Sequence, residues 1–201
     1  MAKLIYSAIA SLDGYVEDEH GQFGWAKPDD EVHAFVNDLE RAVGTYLYGR
    51  RMYETMVFWE TVSTSGEPEV FRDYVELWRA ADKIVYSHTR QGVSSARTRI
   101  ERKFDSTAIR ALKQSSPADI SIGGSELAGQ ALAAGLIDEL HLLLCPIIVG
   151  GGKPALAHHL EADLDIIDQR RFDSGMVHIG YRITAAEPNR VLMSTKDEGT
   201  R

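Results

Sequence analysis

The chain has 201 residues, 44% hydrophobic and 26% charged, a balance that suits an ordinary globular protein able to bury one sizeable core. Its net charge of -8, from 22 Lys and Arg against 30 Asp and Glu, argues against a large nucleic-acid footprint, which needs cations to neutralise phosphates. The single cysteine, Cys145, excludes an intrachain disulfide framework and a cysteine-rich zinc site, and it fits a reducing, cytoplasmic compartment.

The first apolar run breaks at Asp13. It is too short to span a membrane and lacks a signal-peptide cleavage site, so a cytoplasmic protein without a membrane segment is expected. Residues 3–10 predict a first strand, ended by the turn-prone Asp13-Gly14. Over 29–42, Val32, Phe35, Val36, Leu39 and Val43 follow helical spacing, with Asp29 and Asp30 placed to cap the helix. A short strand at 45–48 runs into Gly49, where Arg50 and Arg51 stand beside a helix start. Residues 70–80 predict a helix through Val70, Tyr74, Leu77 and Trp78, followed by a buried strand at 83–86. Another helix at 104–114 and a strand at 119–122 lead to Gly123-Gly124, which opens a helix through Ala134. The long apolar run 139–149 contains Pro146, so its buried strand should bend or stop there. A last strand at 176–184 should pair with one at 164–169.

Strands alternating with helices predict an α/β layered sheet, mostly parallel, with an antiparallel C-terminal hairpin. There is no internal repeat, and the linker-like 63–68 is too short to separate domains. One domain over 1–186 with a polar tail at 187–201 is expected.

Three tempting motifs fail. Gly150-Gly151-Gly152-Lys153 suggests a phosphate-binding P-loop, but Pro154 and Ile147 occupy the places of its Ser or Thr and its first Gly. Gly123-Gly124-Ser125-Glu126-Leu127 suggests a nucleophile elbow, but Leu127 replaces the closing Gly. The adjacent His158-His159 point in different directions and make a poor metal pair, so no metal is expected.

Three strand-to-helix junctions share one character instead: Tyr48-Gly49-Arg50-Arg51-Met52-Tyr53-Glu54, Tyr86-Ser87-His88-Thr89-Arg90 and Ile122-Gly123-Gly124-Ser125-Glu126-Leu127. Ligands of open α/β sheets bind beyond the carboxyl ends of strands, where helix N-termini attract phosphate. Gly123-Gly124 would let backbone approach a pyrophosphate closely. Each junction alone also reads as an ordinary turn, and Arg50 and Arg51 also read as partners of surface carboxylates. Together they favour a dinucleotide.

Those junctions, with Ala10-Ser11-Leu12-Asp13-Gly14 and in this order and spacing, resemble the dihydrofolate-reductase-like family. The similarity is to stand-alone homologues of the C-terminal reductase domain of the bifunctional riboflavin-biosynthesis deaminase-reductase, and it covers about residues 3–185. A deaminase half with its zinc segment is not expected. The resemblance implies a mixed, mostly parallel sheet and NADPH as hydride donor. By motif, Arg50 would face the adenosine 2′-phosphate. Gly49, Arg51 and Met52 would line the helix start by the pyrophosphate, Met52 replacing a frequent Thr. Ser87, His88 and Thr89 would close over the adenosine phosphate. Gly123 and Gly124 would lie beside the nicotinamide, joined by a bond that can be cis in relatives. Ser125, Glu126 and Leu127 would start the helix under the pyrophosphate.

On the substrate side, Trp25-Ala26-Lys27-Pro28-Asp29-Asp30 is similar to the Trp-x-x-Pro-x-Asp stretch of folate-reducing relatives, whose Asp contacts the pterin. Asp30 is therefore a candidate proton-handling carboxylate, and Asp13, at the end of the first strand, is its rival. Both also read as structural: a helix start and an Asp-Gly turn. Trp25, Tyr53, Phe58 and Trp59 either wall a flat heteroaromatic substrate or simply pack in the core. The reading is an NADPH-dependent reductase of a pteridine- or pyrimidine-like substrate. Its nearest named activity is 5-amino-6-(5-phosphoribosylamino)uracil reductase of riboflavin biosynthesis. The alternative is a dinucleotide- or drug-binding protein without turnover. A homodimer is expected, because the apolar 139–149 strand must be covered on both faces.

Overall fold

The computed structural model describes residues 1–158 and 160–188. His159 and the part of the expected tail from 189 to 201 lie outside the described residues. The chain runs β1 (Leu4–Ser11), β2 (Tyr15–Glu17), α1 (Asp30–Glu40), β3 (Val43–Gly49), α2 (Arg50–Met56), α3 (Phe58–Thr61), α4 (Glu69–Ala80), β4 (Asp82–Tyr86), β5 (Thr98–Glu101), α5 (Ser106–Ser115), β6 (Asp119–Gly123), α6 (Ser125–Ala133), β7 (Glu139–Cys145), β8 (Lys153–Pro154), β9 (Leu160–Arg171) and β10 (Val177–Pro188). One eight-stranded sheet has the order β5-β4-β3-β6-β1-β7-β10-β9, and β2 pairs with β8 in a small second sheet. The first six strands of that order are parallel to one another, and β10 and β9 are antiparallel. This is the mixed sheet with an antiparallel C-terminal hairpin that the alternating pattern predicts.

Each face of the sheet buries a separate set of helices. Leu4, Tyr6, Leu47, Ile84, Ile120, Ile122 and Leu140 meet α5 and α6 through Ile109, Leu127, Ala128 and Ala131. On the opposite face Tyr46, Tyr48 and Val85 pack with Tyr53 of α2 and with Tyr74 and Trp78 of α4. Farther along that face Val32 of α1 meets Leu143, Cys145, Phe172 and Met176.

β7 stops at Cys145, directly before Pro146, because proline cannot donate to the ladder. Its two faces are covered within the chain, Leu140 from one side and Leu143 and Cys145 from the other. Covering β7 therefore needs no partner subunit. Three strands escaped the pattern: β2 and β8, of three and two residues, and β5, whose Thr-Arg-Ile-Glu carries a single apolar residue.

Candidate functional site

β4, β3 and β6 are neighbours, and their registers place Gly49 beside Tyr86 and Tyr48 beside Gly123. Their carboxyl ends therefore stand abreast and open together into a cleft of about 460 Å3. That volume lies within the range of small-molecule sites.

The helices entering the cleft differ from two others in how they are capped. Asp29 caps α1, its Oδ1 accepting from Val32 N–H at 2.9 Å, and Asp105 caps α5, accepting from Thr107 N–H at 2.8 Å. α2 and α6 instead follow Gly49 and Gly124, and neither has a side-chain cap. Their first N–H groups thus face the cleft without an internal acceptor, and the helix dipole adds partial positive charge there. Gly124 has φ +96°, and a Cβ on Gly123 would come within 2.9 Å of the Tyr48 ring. Both glycines are required by geometry. The Gly123–Gly124 bond is trans, since the chain has no cis peptide among the described residues.

Gly49, Arg50, Arg51, Met52, Ser87, His88, Thr89, Gly124, Glu126 and Leu127 all line the cleft. Gly123 and Ser125 stand buried behind it. The side chains of Arg50 and Arg51 are exposed and make no hydrogen bond or ion pair among the described residues. Arg50 therefore has no carboxylate partner among the described residues, whereas the charge of Arg51 helps to lower the Glu126 carboxyl. Arg90 turns away, reaching Glu54 at 3.3 Å and Gly92 O at 2.8 Å while stacking on Tyr53. Ser87 Oγ accepts from Arg90 N–H at 3.0 Å, fixing the turn.

Sequence reasoning missed two cations of this cleft, Arg102 and Lys153. Arg102 follows the short β5, and its Nη1 donates to the carbonyls of Ser87 and Arg90 at 3.0 and 2.6 Å. It both charges the cleft and holds the 87–90 turn. Lys153 ends the glycine run rejected as a P-loop, and that rejection hid it. Among the described residues Glu126 is the one carboxylate lining the cleft, and Lys153 holds it below the usual carboxylate range.

The substrate-side candidates scatter. Tyr53 is 0% exposed, and its hydroxyl bonds Ser95 Oγ at 2.8 Å and accepts from Ser94 N–H at 3.0 Å. A side chain so enclosed cannot wall a substrate, so that expectation is corrected to a core role. Trp59 is packed among His33, Phe58, Phe71 and Tyr74, whereas Phe58 is largely exposed. Trp25 is half-buried against the Val32–Phe172 cluster, and its indole N–H has no acceptor there.

The two acids also part. Asp13 accepts from Val149 N–H at 3.2 Å and Gly150 N–H at 2.8 Å. Ser11 and these amides hold its carboxyl below the usual range. It works as a loop clamp and is a poor proton donor. Asp30 opens α1, exposed, with no hydrogen bond or ion pair of its own among the described residues. One turn on, His33 lies half-buried against Trp59 and Tyr74. Burial lowers its pKa, and Asp30 opposes that shift. His33 went unnoticed because a histidine inside a helical pattern carries no signal of its own.

A family model described as the RibD C-terminal domain matches residues 2–177. A Bacillus subtilis (strain 168) protein described as the uncharacterized protein YyaP is 26% identical over 183 residues, 89% of this chain and 94% of that protein. A putative riboflavin biosynthesis protein from Shewanella sp. PV-4 shares the fold with a TM-score of 0.72 at 20% identity, covering 92% of this chain and all of the other. A pyrimidine reductase-like protein from Corynebacterium diphtheriae gives 0.67 at 15% identity, with 92% of each chain covered. The Thermotoga maritima diaminohydroxyphosphoribosylaminopyrimidine deaminase/5-amino-6-(5-phosphoribosylamino)uracil reductase gives 0.64 at 15% identity, and the match spans 90% of this chain and 56% of that one.

Proposed function

The chain belongs to the RibD C-terminal domain family, and on that premise we propose that it is a reductase that binds NADPH in the cleft and reduces a pyrimidine- or pteridine-like ring. One observation carries this reading: two glycine-capped helix N-termini and four cations, Arg50, Arg51, Arg102 and Lys153, surround one cavity in a chain of net charge -8. A general field that repels anions makes such a local concentration of cations a ligand-binding feature. A phosphorylated dinucleotide matches its charge and size.

Bound NADPH supplies the hydride, and the protein binds, orients and excludes water. Arg50 is free to fork onto the 2′-phosphate with two parallel hydrogen bonds. The first N–H groups of α6 hold the linking phosphates, and Gly123-Gly124 lets the ring end lie against backbone. Of the two candidate acids, Asp30 suits the substrate ring, because its carboxylate is uncommitted while that of Asp13 is spent on the loop. Trp25, half-buried, and Phe58, exposed, are the candidate aromatic walls that remain, although neither lines the cleft. The nearest named activity is 5-amino-6-(5-phosphoribosylamino)uracil reductase.

The alternative, a binding protein without turnover, is favoured by one fact: neither Asp13 nor Asp30 lines the cleft. Mixing the protein with NADPH and a panel of pteridines and ribosylaminopyrimidines separates the two readings. Loss of the reduced nicotinamide's near-ultraviolet absorbance with one substrate, abolished in Asp30→Asn, is the expected result. Binding of NADPH without oxidation by any ring would establish the alternative.

A further inference from the structure

The glycine run that fails as a P-loop still delivers a cation to the cleft. Its backbone is fastened on both sides. Asp13 clamps Val149 and Gly150, and Gly152 sits so close to Glu17 that a Cβ would strike the Glu17 carbonyl. Lys153 and Pro154 then pair with Glu17 and Tyr15. Beyond them Ala155 N–H donates to Gly14 O at 2.8 Å, and its carbonyl accepts from the Tyr6 hydroxyl at 2.6 Å. Lys153 is therefore presented from a rigid base, from a loop outside all three strand-to-helix junctions.

Its ammonium lies 3.0 Å from Glu126 Oε1, and the two side chains differ sharply in exposure, 22% for the lysine and 79% for the glutamate. A sheltered cation is thus matched with a carboxylate that stands mostly in water. Glu126 occupies the first turn of α6, where the uncapped N–H groups and the helix dipole favour negative charge. A carboxylate there resembles the anion the site would take, and an ion pair with so exposed a partner is weak and readily exchanged.

We propose that Lys153 is a phosphate-binding residue of this cleft and that Glu126 is its exchangeable counter-ion, released to solvent when the diphosphate linker of a dinucleotide takes over the ammonium. The proposal rests on the dinucleotide reading above and adds to it the residue that grips the linker. It explains why a carboxylate lines an otherwise cationic cavity: without it, Lys153 would stand sheltered and unpaired in the free protein.

Calorimetric titration of the full chain tests this with NADPH and with adenosine 2′-monophosphate, which lacks the linker. Lys153→Met should weaken NADPH binding about tenfold or more, in line with losing a charged hydrogen bond, and leave the monophosphate unaffected. Lys153→Arg should restore most of the NADPH affinity, which separates lost charge from a disturbed loop. Glu126→Gln should tighten NADPH binding about threefold or more, since the diphosphate no longer competes with a carboxylate. That gain should shrink in the Lys153→Met background. Unchanged NADPH affinity in Lys153→Met, with binding intact in the wild type, would overturn the assignment while leaving the dinucleotide reading in place. A gain from Glu126→Gln that is as large without Lys153 would overturn the exchange. Absence of NADPH binding by the wild type would overturn both readings together.

Discussion

Arg50 is the side chain on which cofactor choice should turn. It is exposed, unpaired among the described residues, and set at the first position of α2 on the cleft wall. Hydrogen bonds to charged groups contribute about 1.5–3 kcal/mol. Arg50→Ala should therefore weaken NADPH binding roughly tenfold to a hundredfold and leave NADH binding nearly unchanged. Competition titrations with both cofactors read this directly, and an equal loss for both would move Arg50 off the 2′-phosphate. Two buried groups away from the cleft predict opposing pH effects on stability. Burial pushes Glu40 up to about 7, against the hydroxyls of Tyr46 and Ser121, which favour its carboxylate. The folded state thus keeps a proton that the unfolded chain releases near 4.5, and stability falls as pH rises from there through about 7. His178 is fully buried, with Nε2 3.0 Å from His141 Nδ1 and Nδ1 3.3 Å from Asp168. Burial, with His141 adding to it, pushes its pKa down to about 4. Here the unfolded chain takes the proton first, so stability falls as pH drops from 6.5 towards 4. The two slopes oppose each other over most of that window, and single variants expose them. Glu40→Gln, a neutral isostere, should gain about 2–3 kcal/mol relative to wild type between pH 5 and pH 8 in denaturant unfolding. A pH-independent difference would show that Glu40 is ionised in the fold.

The strand-to-helix junctions show most clearly how local chemistry prepares a site. Asp29 and Asp105 finish the helices they precede, whereas Gly49 and Gly124 leave α2 and α6 unfinished at the cleft. Gly123 adds a steric reason of its own, because the Tyr48 ring and Met52 Cγ lie 2.9 and 3.1 Å from where its Cβ would be. Tyr48 is buried, and its hydroxyl accepts from the Trp78 indole N–H, so its ring is held in place. Gly123→Ala should cost about 1–3 kcal/mol of stability through overpacking and displace α2 from β6, weakening NADPH binding as well. Thermal unfolding and cofactor titration of the same variant check both, and an undisturbed affinity would show that the junction tolerates a side chain. These junctions were legible in the sequence because a glycine after an apolar run is a local signal, as was Pro146 at the end of β7. Arg102 and Lys153 were not legible for a different reason. Arg102 directly follows β5 and Lys153 opens β8, strands of four and two residues whose existence depends on partners far along the chain. Tyr53 was misread because periodicity places an aromatic on a helix without saying which face is enclosed. That ring is packed with Tyr46, Tyr48, Tyr74 and Trp78, and its hydroxyl is bound by Ser94 and Ser95, 41 and 42 residues on in a stretch with no pattern.

At the scale of the whole molecule, the sheet ends on the short β5 at one edge and on the much longer β9 at the other. β9 spans twelve residues, pairs among the described residues only with β10, and is exposed along almost all its length. Leu164 and Ile166 lie there 40% and 62% exposed, and Ile167 sits at a break in the β10 register. A long edge with apolar side chains invites pairing with another chain, and we propose that a second copy covers it. Light scattering should give twice the 22.3 kDa of the chain, and Ile166→Lys should shift the protein towards monomer. A monomer in the wild type at micromolar concentration would refute the dimer. The opposite, parallel part of the sheet carries the cleft, so the proposed assembly and the proposed cofactor site use different strands. No described helix is long and apolar enough to cross a membrane. What the whole account depends on is that the cleft at the ends of β3, β4 and β6 takes a phosphorylated dinucleotide. Isothermal titration of the wild-type chain with NADPH and with NADH, repeated at low and high salt, tests that most directly. The account predicts one NADPH site per chain, tighter than NADH by about tenfold or more and weakened by salt as the exposed arginines are screened. Equal affinity for the two cofactors, or no binding of either, would contradict it.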